Sequence, residues 1–485
     1  MKYPIERLGR KPQNELTITP RYDTLVMKSK LSGGNDMSTV KINFNSETVN
    51  KIKPLHGVNS GPCTKVFTFN AKPLFKEAGF PYVRLHDIEY PYGSGEFVDI
   101  HCIFQNFDAD ETKEENYNFA LTDEYLKACV EVGSMPFFRL GVSIEHAPVK
   151  RHIFPPKDYA KWARICEHII LHYTEGWANG FHWDIQYWEI WNEPDSCAFG
   201  SINMWYGTQE EFFEFYCVSA TYLKKRFPHL KIGGCAFMGG YNRFIKAFFE
   251  YITAKPERIP MDFYSWHFYT TDINRMLEES EKANTVLQKY GYQDAESIFN
   301  EWNYMNDWSE QHKSYPFVKN YVGASFCASM LSALQSRTNV LVAAYFHAEV
   351  ITEWSGLFDV DKMSIGTIKS TVSPRKPFYA FKAFNELYKM GNEKRVEYDP
   401  DSLYVTAASN DTSAGIIIAN YNGEDTEIEL DLSGLPAGEI EIRIVDEERT
   451  FDKIMSFETT NGAIKTKFPL TKNAFVYIGS AIETV

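Results

Sequence analysis

Eight short apolar segments, spread over residues 50–390 and separated by helix-like stretches, constrain the fold of this 485-residue chain more than any other feature. They are rich in β-branched and aromatic residues, as the buried strands of parallel sheets are. Strands that alternate with helices in this way predict an α/β fold, a (β/α)8 TIM barrel that we assign to residues 51–391. The segments are KPLHGVN (53–59), PYVRLHD (81–87), MPFFRLG (135–141), IQYWEIWNE (185–193), LKIGGCAF (230–237), MDFYSWHFY (261–269), SIFNEWNY (297–304) and VLVAAYFHAE (340–349).

The pattern changes after Gly391, where short alternating strands are separated by Gly, Asn, Asp and Pro turns. Segments such as SLYVTAAS, TEIELDLS and EIEIRIVD are typical of an antiparallel sheet with one buried face. We therefore predict an accessory antiparallel β-sandwich over residues 392–485. The amino-terminal segment, 1–50, contains one further alternating run, STVKINFN, and we expect this run to join the sandwich as a strand.

Composition argues against several classes of partner. The formal net charge is −14 and the pI is near 5.4, whereas nucleic acids and anionic membranes are bound through basic patches. No apolar run reaches the roughly 18 residues that a membrane-spanning helix needs. We therefore predict no nucleic-acid and no membrane partner, while a homo-oligomer is left open. The segment MKYPIERLGRKPQNELT lacks the apolar centre of a secretory signal, so we expect a cytoplasmic location unless a leader precedes this chain.

The eight cysteines are scattered along the chain and form no C-x-x-C pair. We interpret them as reduced thiols that serve as small apolar side chains. Histidine and cysteine also show no ligand spacing typical of zinc sites. The sequence thus predicts neither a metal nor a cofactor.

Two of the predicted strands, the fourth and the seventh, end in a glutamate that is followed by polar or aromatic residues. The fourth ends in Asn192, Glu193 and Pro194, and the seventh in Asn300 and Glu301. Functional groups of a TIM barrel lie at the carboxyl ends of its strands, so these two carboxylates are expected to face each other across the barrel mouth. Each glutamate alone is also compatible with a helix cap or a buried ion pair, but their joint placement favours a catalytic pair.

Cleavage of a glycosidic bond requires such a pair of carboxyl groups. One must be protonated to donate to the leaving oxygen, and the other must be ionised to attack the anomeric carbon. Aromatic neighbours such as Trp188 and Trp191 tend to raise the pKa of a nearby acid by burying it. Asn192 offers an amide that would hold a sugar hydroxyl beside the reacting carbon. We therefore predict Glu193 and Glu301 as the catalytic residues of a glycosidase.

The same segments resemble a known family. WEIWNEPD is similar to the acid/base motif of the clan A glycoside hydrolases, and FNEWNY with DFYSWHFY most resembles glycoside hydrolase family 39, whose familiar members are β-xylosidases and α-L-iduronidases. The resemblance spans roughly residues 40–480. It implies hydrolysis with retention of configuration, with Glu193 as the acid/base and Glu301 as the nucleophile.

The resemblance also suggests a supporting role for Arg84 in YVRLHD. In the clan, an arginine at this place lies beneath the nucleophile and favours its ionised form by charge pairing. The alternative is an ion pair with Glu189, which shares the strand face of Glu193 because strand side chains alternate with a period of two. Both interpretations are left open by the sequence.

Further candidates follow the sixth, seventh and eighth strands. Tyr269 matches a family position that hydrogen-bonds the nucleophile, and His267 matches one that would bind a sugar hydroxyl, although a satisfied core histidine is the alternative. Trp302 and Trp354 would stack on the apolar face of a sugar ring, unless they belong to the core. The two tryptophans are the predicted stacking platforms for the substrate.

The first two strands supply the remaining substrate-binding candidates. We place His56 and Asn59 at the end of the first strand, and His86 and Asp87 at the end of the second. All four would hold hydroxyl groups of the sugar at the non-reducing end. Loop capping is the alternative for Asn59 and Asp87.

The leading interpretation is therefore a retaining exo-glycosidase that acts on β-glycosides of oligosaccharides or small glycosides, with β-xylosides as the default. Another clan A specificity is the first alternative: β-glucosidase, β-galactosidase, α-L-arabinosidase or iduronidase. An iduronidase would need cationic groups for a uronate, which no clear sequence feature supplies. A carbohydrate-binding barrel without catalysis is the second alternative, and the presence of both glutamates argues against it.

Overall fold

Eight parallel strands close into a barrel in the computed structural model, which describes residues 37–64, 69–88, 97–145, 149–199, 204–350, 356–362, 371–460 and 462–482. Each strand pairs with the next along the chain, and the last pairs with the first through Ala344 and Gly57. Each of the eight predicted segments overlaps one strand, so the predicted TIM barrel is confirmed. The strands, labelled β1–β8, are Gly57–Asn59, Tyr82–Arg84, Met135–Leu140, Tyr187–Ile190, Lys231–Met238, Phe263–His267, Glu296–Trp302 and Val340–Tyr345.

A helix of at least seven residues follows each barrel strand and covers the outside of the barrel. Helix Tyr159–Thr174 shows why these stretches are helical: its apolar residues recur every three or four positions, and Asp158 caps it by accepting the Lys161 amide. Helix Gln209–Arg226 begins at Thr208 with a capping box. Among the residues that the structure describes, these helices are Lys72–Ala78, Ala120–Glu131, Tyr159–Thr174, Gln209–Arg226, Arg243–Thr253, Ile273–Lys289, Tyr321–Arg337 and Phe378–Met390. Shorter helical turns are Ile100–Ile103, Glu114–Asn116, Trp177–Asn179, Pro194–Phe199, Trp308–Lys313 and Tyr315–Val318.

An apolar layer fills the amino-terminal end of the barrel. Phe137, Tyr187, Phe263, Ile298 and Val342 point inward there and are buried against one another. This plug is the packed interior expected of a TIM barrel, and polar inward side chains at the carboxyl ends then line a cleft instead of a pore.

In the described part of the chain, the strands outside the barrel form two larger sheets and two small hairpins. Strand Met37–Asn43 pairs in parallel with Thr426–Ser433, so the alternating run upstream of the barrel crosses over to the sheets downstream of it. A second core of aliphatic side chains lies between the two sheets. The seven-stranded sheet has the order Thr48–Lys51, Asn392–Lys394, Tyr404–Ser409, Ala414–Ala419, Phe475–Ser480, Gly438–Val445 and Thr450–Thr459. The four-stranded sheet has the order Val396–Glu397, Met37–Asn43, Thr426–Ser433 and Ile464–Leu470, and the hairpins pair Cys63–Thr64 with Phe69–Asn70 and Phe358–Lys362 with Thr371–Pro374.

The sandwich packs against the last two helices of the barrel and reaches the loops at its carboxyl end. Ser325 donates to the carbonyl of Ala474 at 3.2 Å, and the Tyr421 hydroxyl donates to the carbonyl of Thr271 at 2.6 Å. Thr271 follows β6, so the sandwich supports a loop at the carboxyl end of the barrel. Among the described helices, none is long and apolar enough to cross a lipid bilayer.

Candidate active site

The turn after β4 holds Glu193 in the barrel mouth. Trp191 and Glu193 both have positive φ angles, 72° and 43°, which side-chain-bearing residues rarely adopt. The Glu193 amide donates to the carbonyl of Ala236 at 3.0 Å, and the Asp195 carboxylate accepts the Met238 amide at 3.1 Å. Both bonds fasten the turn to β5. The strained backbone thus keeps the Glu193 side chain, which is 14% exposed, directed into the cleft.

Glu301 lies at the carboxyl end of β7 and is held by three donors. Its Oε1 accepts the Tyr269 hydroxyl at 2.5 Å, and its Oε2 lies 3.3 Å from Arg84 Nη1 and 3.0 Å from His267 Nδ1. The side chain is only 6% exposed. Tyr269 and Arg84 thus both contact this carboxylate, and these are the contacts that the sequence predicted for them.

His267 lies between the two glutamates. Its Nδ1 is 2.8 Å from Glu193 Oε1 as well as 3.0 Å from Glu301 Oε2, and one oxygen of each carboxylate lies within 4.8 Å of the other. Burial by itself would lower the pKa of His267, but the charge of Glu301 and the hydrogen bonds to both carboxylates raise it to about 9. The imidazole is thus protonated at neutral pH and bridges the pair.

Arg84 lies beneath this pair and combines the two alternatives drawn from the sequence. Its Nε donates to Glu189 Oε2 at 2.8 Å, while Nη1 points to Glu301 and Nη2 donates to Asn192 Oδ1 at 2.8 Å. Burial would raise the pKa of Glu301, but the charges of His267 and Arg84 outweigh it and hold that pKa well below its usual range. Glu301 is therefore ionised.

Three predicted contact residues have buried polar atoms without a hydrogen-bond partner in the described part of the chain. They are Nδ2 of Asn192, Nε2 of His267 and both ring nitrogens of His86. Burial and the charge of Arg84 lower the pKa of His86 well below its usual range, so its ring is neutral. Buried polar atoms are normally paired, which makes these atoms candidates for contact with a ligand. Asp87 Oδ1 lies 3.3 Å from His86 Nε2, outside hydrogen-bond geometry, and accepts the Ile144 amide at 3.0 Å.

Two candidates from the first predicted segment make contacts other than those predicted. His56 precedes β1 at the amino-terminal end of the barrel, where its Nε2 lies 3.3 Å from Asn385 Oδ1 and its ring packs against Tyr388. Asn59 does reach the carboxyl end, but its Oδ1 accepts from Arg84 and its Nδ2 donates to the carbonyl of Asn300 at 2.9 Å. Sugar binding by His56 is therefore wrong, and Asn59 supports Arg84 instead of facing the cleft.

The predicted platform Trp302 is a core residue. It is fully buried and packs against Tyr345 and Phe381, with ring centroids 5.2 and 6.1 Å away. Because strand side chains alternate, the residue after the inward-facing Glu301 must point outward to the helix layer. A stacking role for Trp302 is therefore wrong. Trp354 lies outside the described residues.

Two residues near the pair were given no role from the sequence. Asp195 is buried, and burial is the main cause that raises its pKa to about 7. Trp308 is about half exposed, and its ring meets the ring of Tyr269 edge-on at 4.9 Å. The NEPD motif could have drawn attention to Asp195, whereas Trp308 lies in a loop without any periodic pattern.

Glu193, His267 and Glu301 are the one group of potential metal ligands among the residues that the structure describes. The donors already around Glu301 are unfavourable to a cation there, because Arg84 and protonated His267 are themselves positively charged. The donor set therefore fits an acid–base pair better than a metal centre.

This chain is similar to several known glycoside hydrolases. A beta-xylosidase of Geobacillus stearothermophilus is 28% identical over 218 residues, which cover 43% of this chain and 40% of that protein. The chain thus spans less than half the length of this curated relative. Among solved structures, a glucosidase from Croceicoccus marinus superposes with a TM-score of 0.75 at 19% identity, covering 93% of this chain and 100% of that one. A monomeric beta-xylosidase from Caulobacter crescentus CB15 has a TM-score of 0.66 at 14% identity, covering 91% and 99%, and both structures share the fold.

The family comparison covers more of the chain than these pairwise matches. The model of glycosyl hydrolases family 39 matches residues 40–422, which include the whole barrel, both glutamates and the first strands of the sandwich. By this match, the chain belongs to glycosyl hydrolase family 39.

Proposed function

We propose that this protein is a retaining exo-glycosidase that cleaves β-glycosidic bonds by double displacement, with Glu193 as acid/base and Glu301 as nucleophile. The observation that carries the proposal is the close approach of the two carboxylates, whose nearest oxygens lie within 4.8 Å. Retaining enzymes hold their carboxyl groups about 5–5.5 Å apart, whereas inverting enzymes leave about 6.5–9.5 Å for a water molecule. The beta-xylosidase relative makes β-xylosides the first substrates to try.

In the first step, an oxygen of Glu301 attacks the anomeric carbon while Glu193 transfers its proton to the glycosidic oxygen. The bond between the anomeric carbon and that oxygen breaks, and the leaving group departs as an alcohol. The lowered pKa of Glu301 keeps the nucleophile ionised. The greater exposure of Glu193 allows it to exchange its proton with solvent.

In the second step, Glu193 takes a proton from a water molecule, whose oxygen attacks the anomeric carbon. The bond to Glu301 breaks, and the sugar leaves with its original configuration. His267 contacts both glutamates, so its positive charge compensates whichever carboxylate is ionised at each stage. The unpaired amide of Asn192 and the neutral ring of His86 are the proposed contacts for sugar hydroxyls.

Trapping of the covalent intermediate tests the assignment of Glu301. A panel of aryl glycosides first identifies the preferred sugar, which also distinguishes a xylosidase from the other clan A specificities. A 2-deoxy-2-fluoro derivative of that sugar with a good leaving group should then accumulate as a glycosyl-enzyme. Peptide mapping should place the added mass on Glu301, and label on Glu193 or Glu189 would overturn the assignment.

The acid/base role of Glu193 has a separate test. Glu193→Ala should slow glycosides with poor leaving groups far more than activated aryl glycosides, because only the former need protonation. Azide should partly restore turnover and give a glycosyl azide of retained configuration. Equal losses on both substrate types, or NMR that shows an α-anomer as first product from a β-glycoside, would contradict the mechanism. A protein that turns over no glycoside of the panel would instead be a carbohydrate-binding barrel.

A further inference from the structure

Trp308 presents an exposed aromatic face next to the catalytic pair. It begins the short turn Trp308–Lys313, in the loop that follows β7. Its ring contacts Tyr269 edge-on, and the Tyr269 hydroxyl donates to Glu301. Trp308 is 51% exposed, whereas the Glu301 side chain is 6% exposed. The indole therefore lies further out toward solvent than the buried carboxylate that would carry the reacting sugar.

The loop holds this ring in place in the free protein. Asp307 accepts both the amide and the hydroxyl of Ser309, at 2.8 and 2.7 Å, and so fixes the start of the turn. The edge contact with Tyr269 packs one ring against the other at 4.9 Å between centroids. A large apolar ring that stays half exposed gains free energy when a partner covers it. A pyranose ring has an apolar face of C–H groups and a polar rim, which suits an aromatic ring held at the surface.

The same loop forms a recess with polar groups. A cavity of about 290 Å³ lies between the segments that follow β6 and β7, close to the lower end of the ~300–1,000 Å³ of small-molecule sites. It lies beside Trp308 in the chain but is not lined by it: the lining is Thr271, Tyr304, Asn306, Asp307, Glu310, Lys313, Ser314 and Phe317. Aromatic rings combined with amide and carboxylate groups are the chemistry that binds sugars, because the ring takes the apolar face and the polar groups take hydroxyls.

We propose that Trp308 is the stacking platform for the sugar unit on the leaving-group side of the scissile bond, so that β-linked oligosaccharides are the substrate class. The inference rests on the proposed function. The reacting ring must lie against the buried Glu301 and His267, and the leaving group must extend from it toward solvent. Among the described residues, Trp308 is an exposed ring that is linked to Glu301 through one side chain, Tyr269. It takes the role that the sequence had suggested for Trp302.

Leaving-group dependence separates a platform from a merely structural residue. Trp308→Ala should lower kcat/KM for the disaccharide of the preferred sugar at least about tenfold, because the stacked apolar area is lost. For the 2,4-dinitrophenyl glycoside, kcat should stay within about twofold of the wild type, because hydrolysis of the glycosyl-enzyme limits it after the leaving group has departed. Trp308→Phe should restore most of the disaccharide activity.

Tyr206→Ala is the matched control, because Tyr206 is 63% exposed in the loop after β4 and contacts Phe154. This substitution should leave kcat/KM for the disaccharide and kcat for the 2,4-dinitrophenyl glycoside unchanged. An unchanged kcat/KM for the disaccharide in Trp308→Ala would overturn the proposed role of Trp308. An equal loss in this kcat/KM and in kcat for the 2,4-dinitrophenyl glycoside would also overturn it. The same holds if Trp308→Phe is as impaired as Trp308→Ala. A wild-type protein that hydrolyses aryl glycosides while Trp308→Ala behaves normally refutes the platform alone, whereas an inactive wild type refutes the proposed function and the platform with it.

Discussion

The pKa of His267 depends on the charge of Glu301, and this dependence can be measured directly. The pKa rises from an ordinary 6.5 to about 9 in the folded protein, and a shift of this size corresponds to about 3 kcal/mol. Because the folded-state pKa exceeds the unfolded one, this stabilisation is fully present below pH 6.5 and is lost as the pH rises through 9.

Glu301→Gln is the informative perturbation. It removes the charge that lies 3.0 Å from Nδ1 of His267, which is the largest of the influences that raise this pKa. Burial then dominates, so we expect the pKa of His267 to fall by at least about 2 units. Glu296→Gln is the matched control, because it removes a charge from the other end of β7, about 17 Å away along the strand. It should leave the pKa of His267 unchanged.

The assay is an NMR titration of the protein with carbon-13-labelled histidine. The chain has 12 histidines, and the signal of His267 is identified by its loss in His267→Asn. A wild-type signal that titrates at or below pH 6.5 would refute the reasoning. Equal shifts in Glu301→Gln and Glu296→Gln would also refute it, because the effect would then not depend on contact.

Three further predictions test the surrounding structure. Arg84→Met should abolish glycoside turnover and lower the free energy of unfolding by about 3–5 kcal/mol, because Glu189 is then buried without its counter-charge. Urea unfolding at neutral pH measures the loss of stability, and an unchanged unfolding midpoint would contradict the prediction. Trp302→Phe should lower the free energy of unfolding by about 1–3 kcal/mol and leave KM unchanged, since the ring packs in the core; a raised KM at wild-type stability would restore the platform role. Turnover should survive exhaustive treatment with EDTA, and a loss that a divalent ion reverses would disprove metal-free chemistry.

The sequence by itself determined the barrel and the position of its two glutamates. Strand-like segments that alternate with helices close into a barrel because each strand needs a helix to cover its outer face. The carboxyl ends of the strands meet at one rim, so Glu193 and Glu301 had to lie at the same opening. Local periodicity and chain order are sufficient for both conclusions.

The tertiary structure decided which neighbouring side chains are available to a ligand. Asn59 carries polar atoms at the right rim, but Arg84 and the carbonyl of Asn300 already occupy them. Such pairings join residues that are distant in the chain, and no local pattern reports them. The same is true of His267, whose Nδ1 approaches both glutamates.

The two tryptophans show the physical reason for this division. Trp302 adjoins Glu301 in the sequence, yet the alternation of the strand turns it toward the helix layer, where Tyr345 and Phe381 enclose it. Trp308 lies in an aperiodic loop, and only the folded chain brings its ring to Tyr269. Secondary structure follows from periodic local preferences, whereas the exposure of one side chain depends on every segment that packs around it.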